Sequence, residues 1–471
     1  MRYQGRGTLS IAERIVVVGA DAAGMSAAHQ ALRSARAARR DIEVIVFERT
    51  RDTSYSACGI PYLLAGLVSS EDKLSARTPE IHRAMGLDLR MATTVTAIDM
   101  TTREVESVGP DGHAERVGFD KLVLATGAEP IIPPWACDST GRTFDGVHTV
   151  KNLDDARYWL DILTADAHGA GRGVVVGGGY IGVEMAEALT LRGFSTTLIT
   201  RSAIMSTLDP AMSGRVEDAI VASGVTVITG ATVAGIDTTD GRVTGLTTSD
   251  GQWLPADVVV LGVGVTPAAE LGRHAGLAIG EHGGYLADDQ QRIGDGVWAA
   301  GDCCEVIDRL RGKHVFAPLG THANKQGRIC GHNLLGSQRT FPGVLGTAIT
   351  RFSHGTVHVE IGRTGLNSAD ARQLGFDAEA LITDGGTASG YMSERAPIAT
   401  NVIADGATRR LLGVQIVGGA QAGKRIDTAA AALWSNLAVD DLAEMDLAYA
   451  PPFATVWEAL QLAARRLADR L

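Results

Sequence analysis

The sequence predicts an α/β protein with two doubly wound nucleotide-binding domains followed by a C-terminal α+β domain. Three observations predict it. A glycine fingerprint occurs twice, first as Val16-Val17-Val18-Gly19-Ala20-Asp21-Ala22-Ala23-Gly24 and, 158 residues later, as Val174-Val175-Val176-Gly177-Gly178-Gly179-Tyr180-Ile181-Gly182. Each copy follows a short apolar run and opens a stretch of small residues with helical spacing, the order of a Rossmann-like β-α-β unit. Beyond about residue 345 the fingerprints stop, and runs of strand character precede helical ones.

In chain order, residues 1–10 lack periodicity and read as a loose tail. Strand 15–18, helix 25–36 and strand 42–47, ending in Glu48, form the first unit. Strand 173–176, helix 181–191 and strand 196–199 form the second. The apolar runs 122–127, 258–264 and 297–302 are further strands ending in turns. Strands are then expected at 346–352, 357–361, 379–383, 398–404 and 411–417, with helices at 424–437 and 456–471. The expected division is 1–150 with 273–345, 151–272, and 346–471.

A chain of 471 residues exceeds one core, and 45% hydrophobic residues with 57 glycines suit α/β units joined by glycine turns. The net charge of −11 and the lack of a basic stripe exclude nucleic acid as a partner. Arg36, Arg39 and Arg40 read as the solvated end of a helix. No apolar run approaches the ~20 residues of a membrane span, and the N-terminus lacks an apolar signal core. A cytoplasmic protein is expected. The five cysteines, at 58, 137, 303, 304 and 330, show no metal-ligand spacing. Cys137 and Cys330 read as small buried hydrophobes, and Cys303 and Cys304 as structural residues after Asp302.

Glycines in the fingerprint permit a tight turn and close approach of backbone to a pyrophosphate, which the following helix N-terminus attracts. The second copy is complete at Gly177, Gly179 and Gly182; the first keeps Gly19 and Gly24 but has Asp21 in the middle. Ala20 lies inside that first turn, and Glu48, followed by Arg49, stands where a carboxylate binds ribose hydroxyls. The second unit has no acid at the matching place; Thr200 is followed by Arg201, which suits a 2′-phosphate and favours NADPH over NADH. Cys58 lies just after the first unit, in Ser56-Ala57-Cys58-Gly59-Ile60-Pro61-Tyr62. Gly59 and Pro61 suit a helix starting beside it, whose N-terminal dipole favours a low-pKa thiolate. Two nucleotide sites and one placed thiol imply an electron path from nicotinamide through flavin to sulfur.

The two fingerprints, Ala125-Thr126-Gly127, Gly262-Val263-Gly264-Val265-Thr266-Pro267 and Ala300-Gly301-Asp302 together resemble the FAD-dependent pyridine nucleotide–disulfide oxidoreductases. The resemblance covers nearly the whole chain and implies an FAD domain (1–150 and 273–345), an NAD(P)H domain (151–272) and a dimerisation domain (346–471). It implies that Thr126 and Gly127 close over FAD, that Asp302 binds its ribityl or pyrophosphate portion, and that Gly264 lies in a cofactor-binding turn. It also places the Tyr180 ring over the flavin until nicotinamide displaces it, with Glu184 as a polar partner one helical turn on.

Two-cysteine members carry C-x-x-x-x-C, but Leu63 stands five residues after Cys58. Cys58-Gly59-Ile60-Pro61-Tyr62 resembles instead the single-cysteine branch, which includes coenzyme A-disulfide reductase, NADH oxidase and NADH peroxidase. The oxidase and peroxidase pattern has a histidine where this chain has Ala22, and Arg77-Thr78-Pro79-Glu80 resembles the coenzyme A-disulfide reductases. That resemblance implies a homodimer in which Tyr449, in Tyr449-Ala450-Pro451-Pro452-Phe453, reaches the partner's cysteine and protonates a leaving thiol. Tyr391 resembles the subgroup's second tyrosine, although Met392-Ser393 and Glu458-Ala459 depart from its pattern. Lys73, Arg77 and Arg83 provide either a basic entrance for a phosphate-bearing small-molecule disulfide or a solvated helix face. The leading expectation is reduction of a low-molecular-weight disulfide such as coenzyme A disulfide. An NAD(P)H oxidase or peroxidase using a Cys58 sulfenic acid, a persulfide or polysulfide reductase, and a non-catalytic redox sensor remain alternatives.

Overall fold

The structure, a computed structural model, describes residues 12–165 and 171–471. The segment 1–10 lies outside the described residues. The first sheet has the order Arg292–Gly294, Val297–Ala299, Lys121–Leu124, Glu13–Val18, Ile42–Phe47, Asp88–Arg90, and only its first pair is antiparallel. Val16, Val17, Ile45, Leu122 and Val123 are buried because helices and loops cover both faces, as parallel strands require. The chain leaves Glu13–Val18 for one neighbour and later returns on its other side. This switch point opens a crevice at the strand's C-terminal end, over Gly19.

The second sheet is all parallel, in the order Thr226–Thr229, Ser195–Thr200, Arg172–Val176, Val258–Leu261, Val147–Thr149. Val147–Thr149 therefore belongs to the second sheet, and Val265–Pro267 already pairs with Ala128–Pro130. The crossings between the nucleotide domains thus fall somewhat ahead of 150 and 272. The third sheet is antiparallel, ordered Ala348–His354, Val357–Gly365, Leu411–Gly418, Pro397–Asp405, Ala378–Gly386, and matches all five expected strands.

Its helices are shorter than the sequence implies, at Ile426–Trp434 and Ala459–Ala468. Asn436, with φ 54°, stops the first, and the Glu458 side chain caps the second by accepting from the Leu460 amide at 2.6 Å. A short helix, Val439–Ala443, lies between them. Two three-stranded meanders, starting at Thr94–Asp99 and Val233–Thr239, were also unexpected, since their exposed faces carry polar residues that resemble loop sequence. Among the described residues, no helix is long and apolar enough to cross a membrane.

Besides cores of their own, the three parts meet in one shared hydrophobic cluster. The helix Ile60–Leu64, just after Cys58, buries Ile60, Leu63 and Leu64 against Trp159, Met185 and Leu189 of the second domain. Phe352, Val359 and Ile361 of the C-terminal sheet complete the same cluster. Arg192 Nε donates to the Leu64 carbonyl at 2.6 Å, and Arg157 joins Asp52, Asp154 and Glu71. A second lock is Asp209, whose carboxylate accepts from Ser368 N (2.9 Å), Ser368 Oγ (2.6 Å) and Asn401 Nδ2 (2.7 Å). The Asp209 amide in turn donates to Gln415 Oε1 at 2.9 Å.

Leu64 is fully buried. Leu64→Ala is expected to cost about 2–5 kcal/mol, seen as a lower thermal midpoint, and to speed alkylation of Cys58 as the helix loosens.

Candidate active site

In the first fingerprint, Gly19 has φ 102°, and a Cβ there would lie 2.2 Å from the Ala125 carbonyl oxygen. A Cβ on Gly24 would lie 1.8 Å from the Gly19 oxygen, so the turn and the helix Ala22–Ala38 close only with glycine at both places. Glu48 holds the turn from the next strand. Its Oε2 accepts from Ala20 N at 2.8 Å, and its Oε1 from Thr50 N (2.9 Å) and Oγ1 (2.8 Å). A carboxylate has about four acceptor sites, so one remains for a ribose hydroxyl. Arg49 is engaged elsewhere, pairing with Glu129 at 2.6 Å.

Thr126 Oγ1 donates to the Ala268 carbonyl at 2.5 Å, while Gly127 has φ 73° and open space where a side chain would stand. Asp302 pairs with Lys151 Nζ at 3.2 Å, and the Gly301 amide beside it donates to Gln326 Oε1 at 2.6 Å. A glycine floor, free helix amides, Glu48 at the strand end and the open side at Gly127 fit an FAD dinucleotide.

The second fingerprint repeats the construction. Gly177 has φ 122°, and a Cβ there would lie 2.1 Å from the Gly262 oxygen; a Cβ on Gly182 would lie 1.8 Å from the Gly177 oxygen. Gly179 meets nothing within 4 Å, leaving the floor clear for a second pyrophosphate. Gly264, φ 115°, turns the chain back toward the first domain. Arg201 stands exposed at the end of Ser195–Thr200, without an ion pair among the described residues.

Tyr180 begins the helix Tyr180–Leu191 and packs on the shared core, with its buried hydroxyl unpartnered. One turn on, Glu184 Oε1 accepts from Thr350 Oγ1 at 2.8 Å. Burial raises the Glu184 carboxyl to about 7, and neighbouring Glu187 adds to the rise. Glu187 is itself 2% exposed, with Arg351 3.7 Å away and lying over the Tyr62 ring of the Cys58 segment.

Cys58 sits in a tight turn, Ala57–Gly59, ahead of Ile60–Leu64, with Pro61 in the helix's first turn as expected. The expected low-pKa thiolate is not what this environment favours. The residue opens to solvent, but the walls around its thiol desolvate it and push its pKa up; Glu184 and Asp302 add to the rise, while Lys151 opposes it. A five-residue helix supplies too weak a dipole to outweigh two carboxylates. Among the described residues all five cysteines are free; Cys303, Cys304 and Cys330 are buried, whereas Cys137 is partly exposed.

Lys73 and Arg77 are exposed on the segment after the redox helix, whereas Arg83 is spent on the Leu89 carbonyl (3.1 and 2.9 Å). Tyr449 and Tyr391 are 47% and 76% exposed. Their segments lie together, since Ser389 N donates to the Pro451 carbonyl at 2.9 Å. Phe453, Val456 and Trp457 are exposed on the same stretch of chain. Lys151 and Thr350 escaped the sequence reading, because each lies outside any motif and meets the site only through folding.

Two dinucleotide cradles flanking a solvent-facing thiol define a flavin- and nicotinamide-dependent thiol oxidoreductase. Residues 13–327 match the pyridine nucleotide-disulphide oxidoreductase family and residues 354–460 its dimerisation domain; the chain belongs to this family. It is an FAD-containing, NAD(P)H-dependent enzyme.

Among curated relatives, the chain is 35% identical to the NAD(P)H coenzyme A polysulfide/persulfide reductase of Pyrococcus horikoshii, over 97% of this chain and 98% of that one. It is 32% identical to an NADH oxidase of Methanocaldococcus jannaschii (97% and 99% covered) and 27% to the coenzyme A disulfide reductase of Staphylococcus haemolyticus (94% and 96%). The solved NAD-dependent persulfide reductase from A. fulgidus superposes with a TM-score of 0.90 at 32% identity, covering 97% of this chain and 83% of that one. An engineered water-forming NADPH oxidase, derived from the Lactobacillus brevis NADH oxidase, superposes at 0.88 with 27% identity, covering 97% and 98%.

Above pH 7, ionised Glu184 opposes ionisation of Cys58. Glu184→Gln is expected to speed iodoacetamide alkylation of Cys58 at pH 8 by about threefold or more and to leave the rate near pH 5.5 unchanged.

Proposed function

We propose that this enzyme reduces a low-molecular-weight disulfide, coenzyme A disulfide foremost, with NADPH as donor and Cys58 as the attacking sulfur. One observation carries the reading. Cys58 faces solvent between the two cradles with Leu63 where two-cysteine enzymes hold their second thiol, so the second sulfur must come from the substrate. FAD, when bound, relays two electrons between nicotinamide and sulfur.

The Cys58 thiolate attacks one sulfur of the disulfide, and the S–S bond breaks as a Cys58–substrate disulfide forms. The departing thiolate needs a proton, and the exposed Tyr449 of a second copy in a homodimer is the donor, with Tyr391 on the adjacent segment. The two electrons of one NADPH then reduce the Cys58–substrate disulfide, freeing the other thiol and restoring the Cys58 thiolate. The balance is NADPH, one proton and one disulfide giving NADP⁺ and two thiols. Exposed Lys73 and Arg77 provide charge for a phosphate-bearing substrate at the entrance. Five free thiols suit a reducing cytoplasm.

NADPH is supported by Arg201 and Ser202 after Thr200. The engineered NADPH oxidase carries Asp→Ala, Ala→Arg and Met→Ser at three consecutive positions, and its Gly→Ala change lies 18 residues before that run. Gly182 lies 18 residues before Thr200, so Arg201-Ser202 reproduces the engineered Arg-Ser pair. A persulfide or polysulfide as acceptor is the second reading, favoured by the names of the relatives at 35% and 32% identity. It uses the same thiolate. Oxidase or peroxidase action is disfavoured by Ala22, which supplies no imidazole.

Anaerobic NADPH consumption with coenzyme A disulfide, glutathione disulfide, a persulfide or no acceptor tests the reading. Cys58→Ser is expected to reduce every acceptor-dependent rate to the no-acceptor background; an unchanged rate removes the thiol mechanism. Arg201→Ala is expected to raise KM for NADPH about tenfold or more and to leave that for NADH within about twofold, consistent with the loss of one charge-assisted bond.

A further inference from the structure

The middle position of the first fingerprint holds Asp21 where the second holds Gly179. We propose that Asp21 binds FAD as the neutral acid, its carboxyl O–H donating to the pyrophosphate, so that retention of the flavin is linked to uptake of one proton. The proposal rests on the FAD assignment alone, which the flavin absorbance of the purified protein checks independently.

Asp21 is the N-cap residue of Ala22–Ala38, yet its side chain makes no capping bond. An N-cap aspartate ordinarily accepts from the second or third helical amide, and here those amides stay available to a ligand. Oδ1 is buried without a hydrogen-bond partner. An orphaned oxygen on the floor of a phosphate cradle signals a missing counterpart.

The groups around Asp21 define the counterpart's charge. Glu48 stands across the turn and holds Ala20 N. Asp302 and Lys151 form an ion pair on the opposite wall, and the Tyr55 phenol is raised by burial and by the field of Asp21. Asp21 and Asp302 thus share Lys151 before a ligand arrives, with Glu48 a further negative charge across the turn. Burial first, then Glu48, hold the Asp21 carboxyl up at about 6, with Asp302 adding to them and only the Ala22 amide and Lys151 pulling down.

A pyrophosphate diester brings two further negative charges. An ionised Asp21 would repel it, whereas a protonated one supplies the donor that the phosphate oxygen accepts. The step balances as ionised protein, FAD and one proton giving the neutral Asp21–FAD complex. Nothing is oxidised or reduced.

The test is FAD release from the holoenzyme between pH 6 and 9, read by the fluorescence of free flavin after dilution and by flavin retained on dialysis. The dissociation constant of the native protein is expected to rise about tenfold per pH unit above 6. Asp21→Asn, a neutral donor of the same shape, is expected to bind equally well at every pH. Asp21→Gly, which restores the glycine of the second copy and gives an independent variant should the first not fold, is expected to show the same flat profile. A flat profile in the native protein overturns the proposal, as does a slope that survives in both variants.

Discussion

The structure depends on the burial of one short helix. Ile60, Leu63 and Leu64 leave water in a cluster with side chains of the nicotinamide domain and five from the C-terminal sheet, although the helix belongs by sequence to the flavin domain. At about 1.5–3 kcal/mol for each fully buried aliphatic side chain, this is the strongest local reason for Cys58 to stand where it does. The thiol is held from beneath by apolar packing and from one end by the Arg192 bond to the Leu64 carbonyl. Little is left to side-chain chance at the reacting atom.

Around that apolar anchor the site is crowded with acids that the fold keeps poorly solvated. Asp21 is raised to about 6 and Glu184 to about 7, in each case mainly by burial. A raised carboxyl favours the folded state in its protonated form. Its stabilising contribution is therefore complete below the unfolded value near 4 and is lost as pH climbs through 6 to 7. Paired groups such as Asp155, with His148, and Asp257, with Arg172, have lowered values and act in the opposite sense, helping the fold above pH 4. The two raised carboxyls thus cost stability at neutral pH that the ion pairs elsewhere restore.

Much of this was legible in the chain. The glycine pairs that close each turn, the switch-point topology they imply, the five strands of the last domain and the isolated thiol all follow from local pattern. Periodicity and turn chemistry are short-range signals, and these features are short-range. The meanders starting at Thr94–Asp99 and Val233–Thr239 were missed because one exposed face dilutes the apolar alternation. The thiol's environment was misjudged for a different reason. Its pKa is raised first by burial and then by Glu184 and Asp302 against Lys151, all brought together from distant parts of the chain, and no window of sequence contains that sum.

The Asp209 knot has a consequence for how reductant enters. It ties the start of the helix Pro210–Ala222 to Asn401 and Gln415 of the C-terminal sheet and to Ser368 at the start of a helix beside it, while Ile60–Leu64 fastens the same domain to the flavin domain. A body riveted on two sides does not swing. Under the proposed reading the nicotinamide ring then enters past side chains rather than between moving domains, with Tyr180, at the start of the helix Tyr180–Leu191, the one in its way.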